Sequence, residues 1–347
     1  MPAVRLPRPA RYAAAGLALT AFLTACSGGD TEDAATGGDG GGDGAFPVTI
    51  DSALGETVIP EQPERVVTWG WSAQDVVLAL DVMPVAMPRN DYGGDENGIF
   101  PWDAERIAEL GGEAPTILTG AHADAPPLEE IVEARPDVIL APNSGITQED
   151  FDRLSEIAPT VAYPDQPWAT TWQEQVDIVG RALGMEEEAD DLLAQTQEQV
   201  GALAAEHPVL EGTTFFYAAA NEADVLNVYR EYDPRVEMLT DLGMEPGASV
   251  TELDADPDDS FFFQVSYENL QEIETDVLVM YFADEAALEE FTSDPLVAAM
   301  PAVQEGRFAP IVGEDFVMAS SAPTVLSIPW MLDRYVPELA AAAENVE

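Results

Sequence analysis

The sequence predicts an α/β fold with mostly parallel sheets, divided into two lobes by one long helix. Three observations carry this. From Phe46 onward, short apolar runs rich in β-branched and aromatic residues alternate with stretches of helical periodicity. One long helical pattern, Glu186–Glu206, stands between two sets of strands. A length of 347 residues suggests two domains rather than one.

Val48–Ile50 and Thr57–Ile59 flank Leu54-Gly55 and read as a small hairpin. The first set of strands is Val66–Trp69, Pro84–Met87, Val138–Ala141 and Thr160–Tyr163. Between them lie the helical stretches Gln74–Leu80, Ala104–Leu110, Leu128–Ala134 and Gln148–Ile157. The second set of strands is Thr214–Tyr217, Val225–Tyr229, Val277–Phe282 and Phe308–Val312. Its helices are Arg235–Leu242, Glu285–Thr292 and Pro329–Ala342.

The stretch from Thr171 to His207 is helical apart from Leu183-Gly184, where the Gly offers a left-handed cap. Beyond it Ala189, Leu192, Leu193, Thr196, Val200 and Leu203 recur at helical spacing. Glu186, Glu187 and Glu188 fill the first turn, where negative charge favours the helix dipole, and Pro208 stops the run. Such a rod is roughly 30 Å long and makes a stiff hinge. The expected division is 46–184 for the first lobe, 185–207 for the connecting helix and 208–347 for the second lobe.

Composition excludes several functions. Thirteen basic residues, all Arg, stand against 66 acids, a formal charge of −53 that repels nucleic acid. An acidity this strong suits a halophilic source, where salt screens the repulsion. A single Cys permits no intramolecular disulfide, and two His cannot build a His-rich metal site. No GxSxG, HExxH or GxxxxGK[ST] motif is present, so an enzyme is not expected. The run Asp254-Ala255-Asp256-Pro257-Asp258-Asp259 lacks the Gly and Glu of a calcium loop and reads as a solvated acidic loop.

The N-terminus reads as an address. Arg5, Arg8 and Arg11 precede an apolar stretch, Ala13 to Ala25, too short to span a bilayer. Leu23-Thr24-Ala25-Cys26 resembles a bacterial lipobox, so residues 1–25 are expected to be a lipoprotein signal peptide and Cys26 the lipidated residue. Residues 26–45 are Gly- and Asp-rich and form a flexible tether with a reach of about 25 Å. The implied location is the extracytoplasmic face of the cell membrane, reached through lipid alone.

Several segments resemble the solute-binding lipoproteins of iron–siderophore ABC importers, a family that shares its fold with cobalamin and haem binders. They are Pro63–Trp69, Pro127–Ala141 with its Pro-Asp entry into a strand, Ile146–Tyr163, Val265–Met280 and Ser320–Leu339, in the family's order. The resemblance implies two Rossmann-like lobes joined by a single long α-helix, with the ligand cleft between them. It implies capture of a ferric siderophore for an ABC permease and its ATPase, by a monomer with no resident cofactor, the iron being held by the siderophore. Cobalamin or haem is the alternative cargo; His122 and His207 are poorly placed as haem ligands. A surface enzyme on the same scaffold is the remote alternative.

Ligands of parallel α/β sheets sit beyond the carboxyl ends of the strands. The strand-end candidates in the first lobe are Trp71, Arg89, Asn90, Tyr92, Trp102, Asn143 and Ser144, with Trp69 more core-like. In the second lobe they are Arg230, Tyr232 and Arg235; Phe261-Phe262-Phe263 and Tyr281 are aromatic walls or core. Arg is scarce here, and a cleft Arg can meet the anionic oxygens around ferric iron. Some catecholate binders carry an Arg where this chain has Asn143-Ser144-Gly145, which favours a hydroxamate or mixed siderophore. The resemblance further implies that Glu129 and Glu268, one per lobe, meet Arg on the permease.

Overall fold

The computed structural model describes residues 46–121, 125–254 and 260–346. The signal segment, Cys26, the tether, His122 and residues 255–259 of the acidic loop lie outside the described residues.

The chain begins with an antiparallel hairpin, β1 (Val48–Ser52) and β2 (Gly55–Ile59). The first lobe then runs β3 (Val66–Thr68), α1 (Ala73–Ala79), β4 (Ala86–Arg89), α2 (Pro101–Leu110) and β5 (Thr116–Ala121). It continues α3 (Leu128–Ala134), β6 (Val138–Leu140), α4 (Gln148–Ser155), β7 (Thr160–Val161) and α5 (Trp172–Leu183). The sheet order is β5-β4-β3-β6-β7 and every pairing is parallel. β3 and β6 are wholly buried, so they read as unbroken apolar runs. β5 was not expected: its apolar pair Ile117-Leu118 is followed by Thr119-Gly120 without alternation, as its edge position allows.

Gly184 adopts the left-handed cap conformation, φ 67° and ψ 34°, and ends α5. After it, α6 (Glu186–Glu206) is an unbroken helix of 21 residues. A Cβ on Gly180 would lie 2.4 Å from the Ala189 methyl, so only Gly lets α6 approach α5 this closely.

The second lobe holds β8 (Thr214–Glu222), β9 (Val225–Tyr229), α7 (Pro234–Asp241), β10 (Glu245–Pro246), α8 (Ala248–Leu253) and β11 (Phe262–Ser266). It ends with β12 (Val277–Phe282), α9 (Glu285–Ser293), α10 (Pro301–Gln304), β13 (Phe308–Val312), α11 (Glu314–Ser321) and α12 (Ser327–Ala343). The strand order is β11-β9-β8-β12-β13, with β10 also paired to β8. This sheet too is mostly parallel, in β8–β10, β8–β12 and β12–β13, and departs from that at one edge. β8–β9 and β9–β11 are antiparallel; between β8 and β9, Ala223-Asp224, with Asp224 at φ 62°, folds the chain straight back. One continuous core runs from Val66 and Val138 through α5 and α6 to Leu239 and Tyr335. Trp330 of α12 packs on Trp102 of α2, ring centres 5.3 Å apart, so the last helix reaches the first lobe. No helix among the described residues is long and apolar enough to cross a membrane.

Candidate ligand-binding cleft

In the first sheet the connections from β3 run to one side and those from β6 to the other, so a crevice opens beyond their carboxyl ends. The two loops there touch backbone to backbone. Gly70, at φ 93°, has no room for a side chain: a Cβ would sit 2.5 Å from the Asn143 carbonyl oxygen. The Trp71 N–H donates to that carbonyl at 2.7 Å. Ser144, fully buried, ties its own loop by donating to the Ala141 carbonyl at 2.8 Å.

The loop after β7 closes the other side. Thr170 donates to the Pro142 carbonyl at 2.6 Å, and Thr171 begins α5 with a capping box to Glu174. Gly145 leaves the space that the Trp168 indole fills; a Cβ there would lie 2.5 Å from Trp168 Nε1. Trp168 and Trp71 meet edge to face with ring centres 5.7 Å apart.

In the second lobe Asp233 caps α7, its carboxylate accepting the Arg235 N–H at 2.9 Å. Arg235 Nη1 donates to both Asp233 oxygens, at 3.0 and 2.8 Å, and the guanidinium lies 4.2 Å from the centre of the Tyr229 ring. Phe261 runs parallel to Tyr229 at 6.4 Å. Burial pushes the Tyr229 hydroxyl well above the ordinary phenol range, so at neutral pH it is a neutral hydrogen-bonding group, sharing a 2.9 Å bond with the Tyr281 hydroxyl.

Between these walls lies a cavity of about 420 Å³. Trp71, Asn143, Trp168 and Trp172 line one side, Tyr232, Arg235 and Phe261 the other, and Ser321–Pro323 a third. Asn143 Oδ1, Gln175 Oε1, Ser321 Oγ and Arg235 Nε are buried there without a hydrogen-bond partner in the protein. Each such atom costs about 1–3 kcal/mol, so the cavity is built for a guest with both apolar and polar surface. A larger hollow of about 660 Å³ lies beside it, but acids dominate its lining, Glu231, Glu237 and Asp241. Burial and the neighbouring Asp241 push the Glu237 carboxyl up, and no aromatic side chain lines that hollow.

Of the strand-end candidates, Trp71, Asn143, Tyr232 and Arg235 come together at the cavity. Others do not. Trp102 is 4% exposed, stacked on Phe100 and hydrogen-bonded through Nε1 to Asp75 at 2.7 Å, so its expected place in the cleft is corrected to the core. Asn90 is buried in its loop, its N–H donating to the Gly98 carbonyl. Arg89 is held by Asp91 and by the carbonyls of Glu96 and Asn97. Arg230 is paired with Asp254 at 2.9 Å. Tyr92 is exposed, and its hydroxyl is pushed up to about 12 by partial burial and by Glu314 and Tyr281 of the second lobe. Trp168 was missed, although it follows the fourth expected strand and the strand-end rule reaches it. Ser321–Pro323 lie between two helices, where no sequence pattern marks a site.

The family model described as periplasmic binding protein matches residues 67–311. The chain belongs to the periplasmic binding protein family. Among curated proteins, this family member is 25% identical over 287 residues to the ferric enterobactin-binding periplasmic protein FepB of Escherichia coli, covering 78% of this chain and 86% of FepB. It is 24% identical to the probable siderophore-binding lipoprotein YfiY of Bacillus subtilis, covering 82% and 85%. Among solved structures, PiaA of Streptococcus pneumoniae in complex with ferrichrome matches with TM-score 0.76 and 35% identity, over 86% of this chain and all of PiaA. A periplasmic solute-binding protein of Mycobacterium smegmatis matches with TM-score 0.73 and 26% identity, over 85% and 98%.

Proposed function

We propose that this periplasmic binding protein captures a ferric siderophore, of hydroxamate or mixed type, outside the cytoplasm and delivers it to an ABC importer. The observation that carries the proposal is the aromatic cavity between the lobes, with buried polar atoms and one guanidinium facing inward. A ferric trihydroxamate matches such a lining. Its chelate ring surface is apolar enough to lie on indole, and its oxygens accept hydrogen bonds. Proteins named for binding siderophores or ferric dicitrate in Escherichia coli and Bacillus subtilis, and PiaA in complex with ferrichrome, support the reading. Native mass spectrometry of the protein with its co-purified cargo is the test. An iron-containing chelate of siderophore mass supports the proposal; a bound porphyrin or corrinoid refutes it.

The anchoring and docking readings belong to the same proposal. Cys26 carries the lipid that holds the protein at the membrane, and the Cys26→Ser variant should appear free or unprocessed. Glu129 and Glu268 are exposed and offer a carboxylate from each lobe to the permease. Glu130 is spoken for, because its carboxylate accepts the Thr119 N–H at 2.8 Å and the Thr119 hydroxyl as well. Those bonds hold the Glu130 carboxyl below the ordinary range, which leaves Glu129 as the available partner in the first lobe.

A further inference from the structure

Each Arg expected from the sequence to meet an anionic ligand is already paired. Arg89 contacts Asp91 at 2.6 Å, Arg230 contacts Asp254 at 2.9 Å and Arg235 contacts Asp233 at 2.8 Å. Only the last pair lines the cavity, where, among the described residues, Asp233 and Arg235 are the sole charged ones in the lining. Their side chains are 2% and 12% exposed, so water screens the pair little. The geometry fixes the pairing from both sides. Asp233 is held at the N-terminus of α7 by the Arg235 N–H, and the Arg235 guanidinium is clamped over Tyr229. Arg235 Nε remains able to donate one hydrogen bond to a guest, but the cation as a whole has its counterion.

We infer that Asp233 is a specificity-determining residue: by neutralising Arg235 inside the cleft, it selects an uncharged ferric chelate over an anionic one. The inference rests on the ferric-siderophore reading. Three hydroxamates cancel the charge of Fe³⁺, giving a neutral complex. Two citrates exceed it, giving an anion. A neutral lining leaves an anionic chelate to lose its hydration with no compensating charge. The surrounding protein, at −53 overall, adds repulsion. Asp233 acts on the ligand through Arg235 and is therefore a positioning residue.

The Asp233→Asn variant isolates the charge, because the amide oxygen still accepts the Arg235 N–H at the helix cap. Affinities for ferrichrome and for ferric dicitrate are measured by tryptophan quenching in the wild type, in Asp233→Asn and in Asp233→Glu. The wild type should prefer ferrichrome. Asp233→Asn should shift the preference toward ferric dicitrate about tenfold, the effect of one unmatched charge roughly 10 Å away at an effective dielectric of about 20. The shift should shrink as salt rises from about 0.1 to 1 M. Asp233→Glu, which keeps the charge, should retain the wild-type ratio. If both ligands weaken equally in Asp233→Asn, or the ratio is unchanged in that variant while melting shows it folded, Asp233 is only a helix cap and the inference falls. If the wild type binds neither chelate nor any other ferric hydroxamate, the ferric-siderophore reading itself fails and takes the inference with it.

Discussion

Asp75 of α1 and Asp103 of α2 lie side by side in the interior, both fully buried, with the Gln74 amide nitrogen reaching an oxygen of each at 2.9 and 3.3 Å. Trp102 and Thr324 donate to the second Asp75 oxygen, at 2.7 and 2.5 Å. Thr324 in turn accepts the Ser327 N–H at 3.0 Å, so Asp75 ties the first lobe to the start of α12, next to the cavity-lining Ser321–Pro323. Burial pushes the Asp75 carboxyl up to about 6 and raises the Asp103 carboxyl well above its ordinary range, with the neighbouring Asp75 charge adding to the latter. Among the described residues, no Arg pairs with either.

The pair sets a pH dependence opposite in sign to ordinary acid denaturation. Below the usual carboxyl value of 3.8, both groups are protonated folded and unfolded, and their contribution to stability is fully present. As pH rises through about 6, the unfolded chain has released these protons and the folded chain must release one against burial, so the contribution is lost. The expected loss is on the order of 3 kcal/mol. Thermal melts at pH 4 to 8 of the wild type and Asp103→Asn check this. The wild type should lose ground to the variant as pH rises; a constant difference would contradict the shared burial of the two protons.

The aromatic walls should dominate binding. Trp168→Ala and Trp71→Ala remove opposite members of one edge-to-face pair and should each weaken ferric-siderophore binding by about 1–3 kcal/mol. Trp102→Phe should leave affinity intact and lower stability instead, since it removes a buried donor to Asp75. Titration and melting of the three variants separate the two outcomes. Equal affinity loss in Trp102→Phe would return that residue to the cleft.

Closure on ligand binding should be small. α6 is an unbroken helix packed on α5 and α12, and the core it joins continues into both lobes. Small-angle scattering should show nearly the same radius of gyration with and without ferric ligand. A contraction of several ångströms would mean that the connector bends.

The first lobe was largely legible in the sequence because its central strands are buried on both faces and its helices carry Gly and Thr caps. Its edge strand β5 was not, since the adjacent pair Ile117-Leu118 followed by Thr119-Gly120 shows no alternation. In the second lobe the antiparallel β8–β9 pairing depends on one tight turn at Ala223-Asp224. The run Phe261-Phe262-Phe263 is split by β11, which buries Phe263 and leaves Phe261 at the cavity rim. The strand-end rule found Trp71, Asn143, Tyr232 and Arg235 yet also swept in Trp102. Nothing local distinguishes a Trp in the first turn of a helix that faces the cleft from one that faces the core.

Delivery should depend on Glu129 and Glu268, and capture should not. The double Ala variant is expected to bind ferric siderophore as the wild type does and to lose uptake in cells, with the defect sensitive to salt. Normal uptake at both low and high salt would move the docking surface to other acids.

The most direct test of the central claim is a tryptophan-fluorescence titration of the purified protein with ferrichrome, alongside iron-free ferrichrome and haem. Saturable quenching of Trp71 and Trp168 by the ferric chelate is expected, with much weaker binding without iron and a loss of about 1.5–3 kcal/mol in Arg235→Ala. Tighter binding of haem, or no response to ferrichrome or any other ferric hydroxamate, would contradict it.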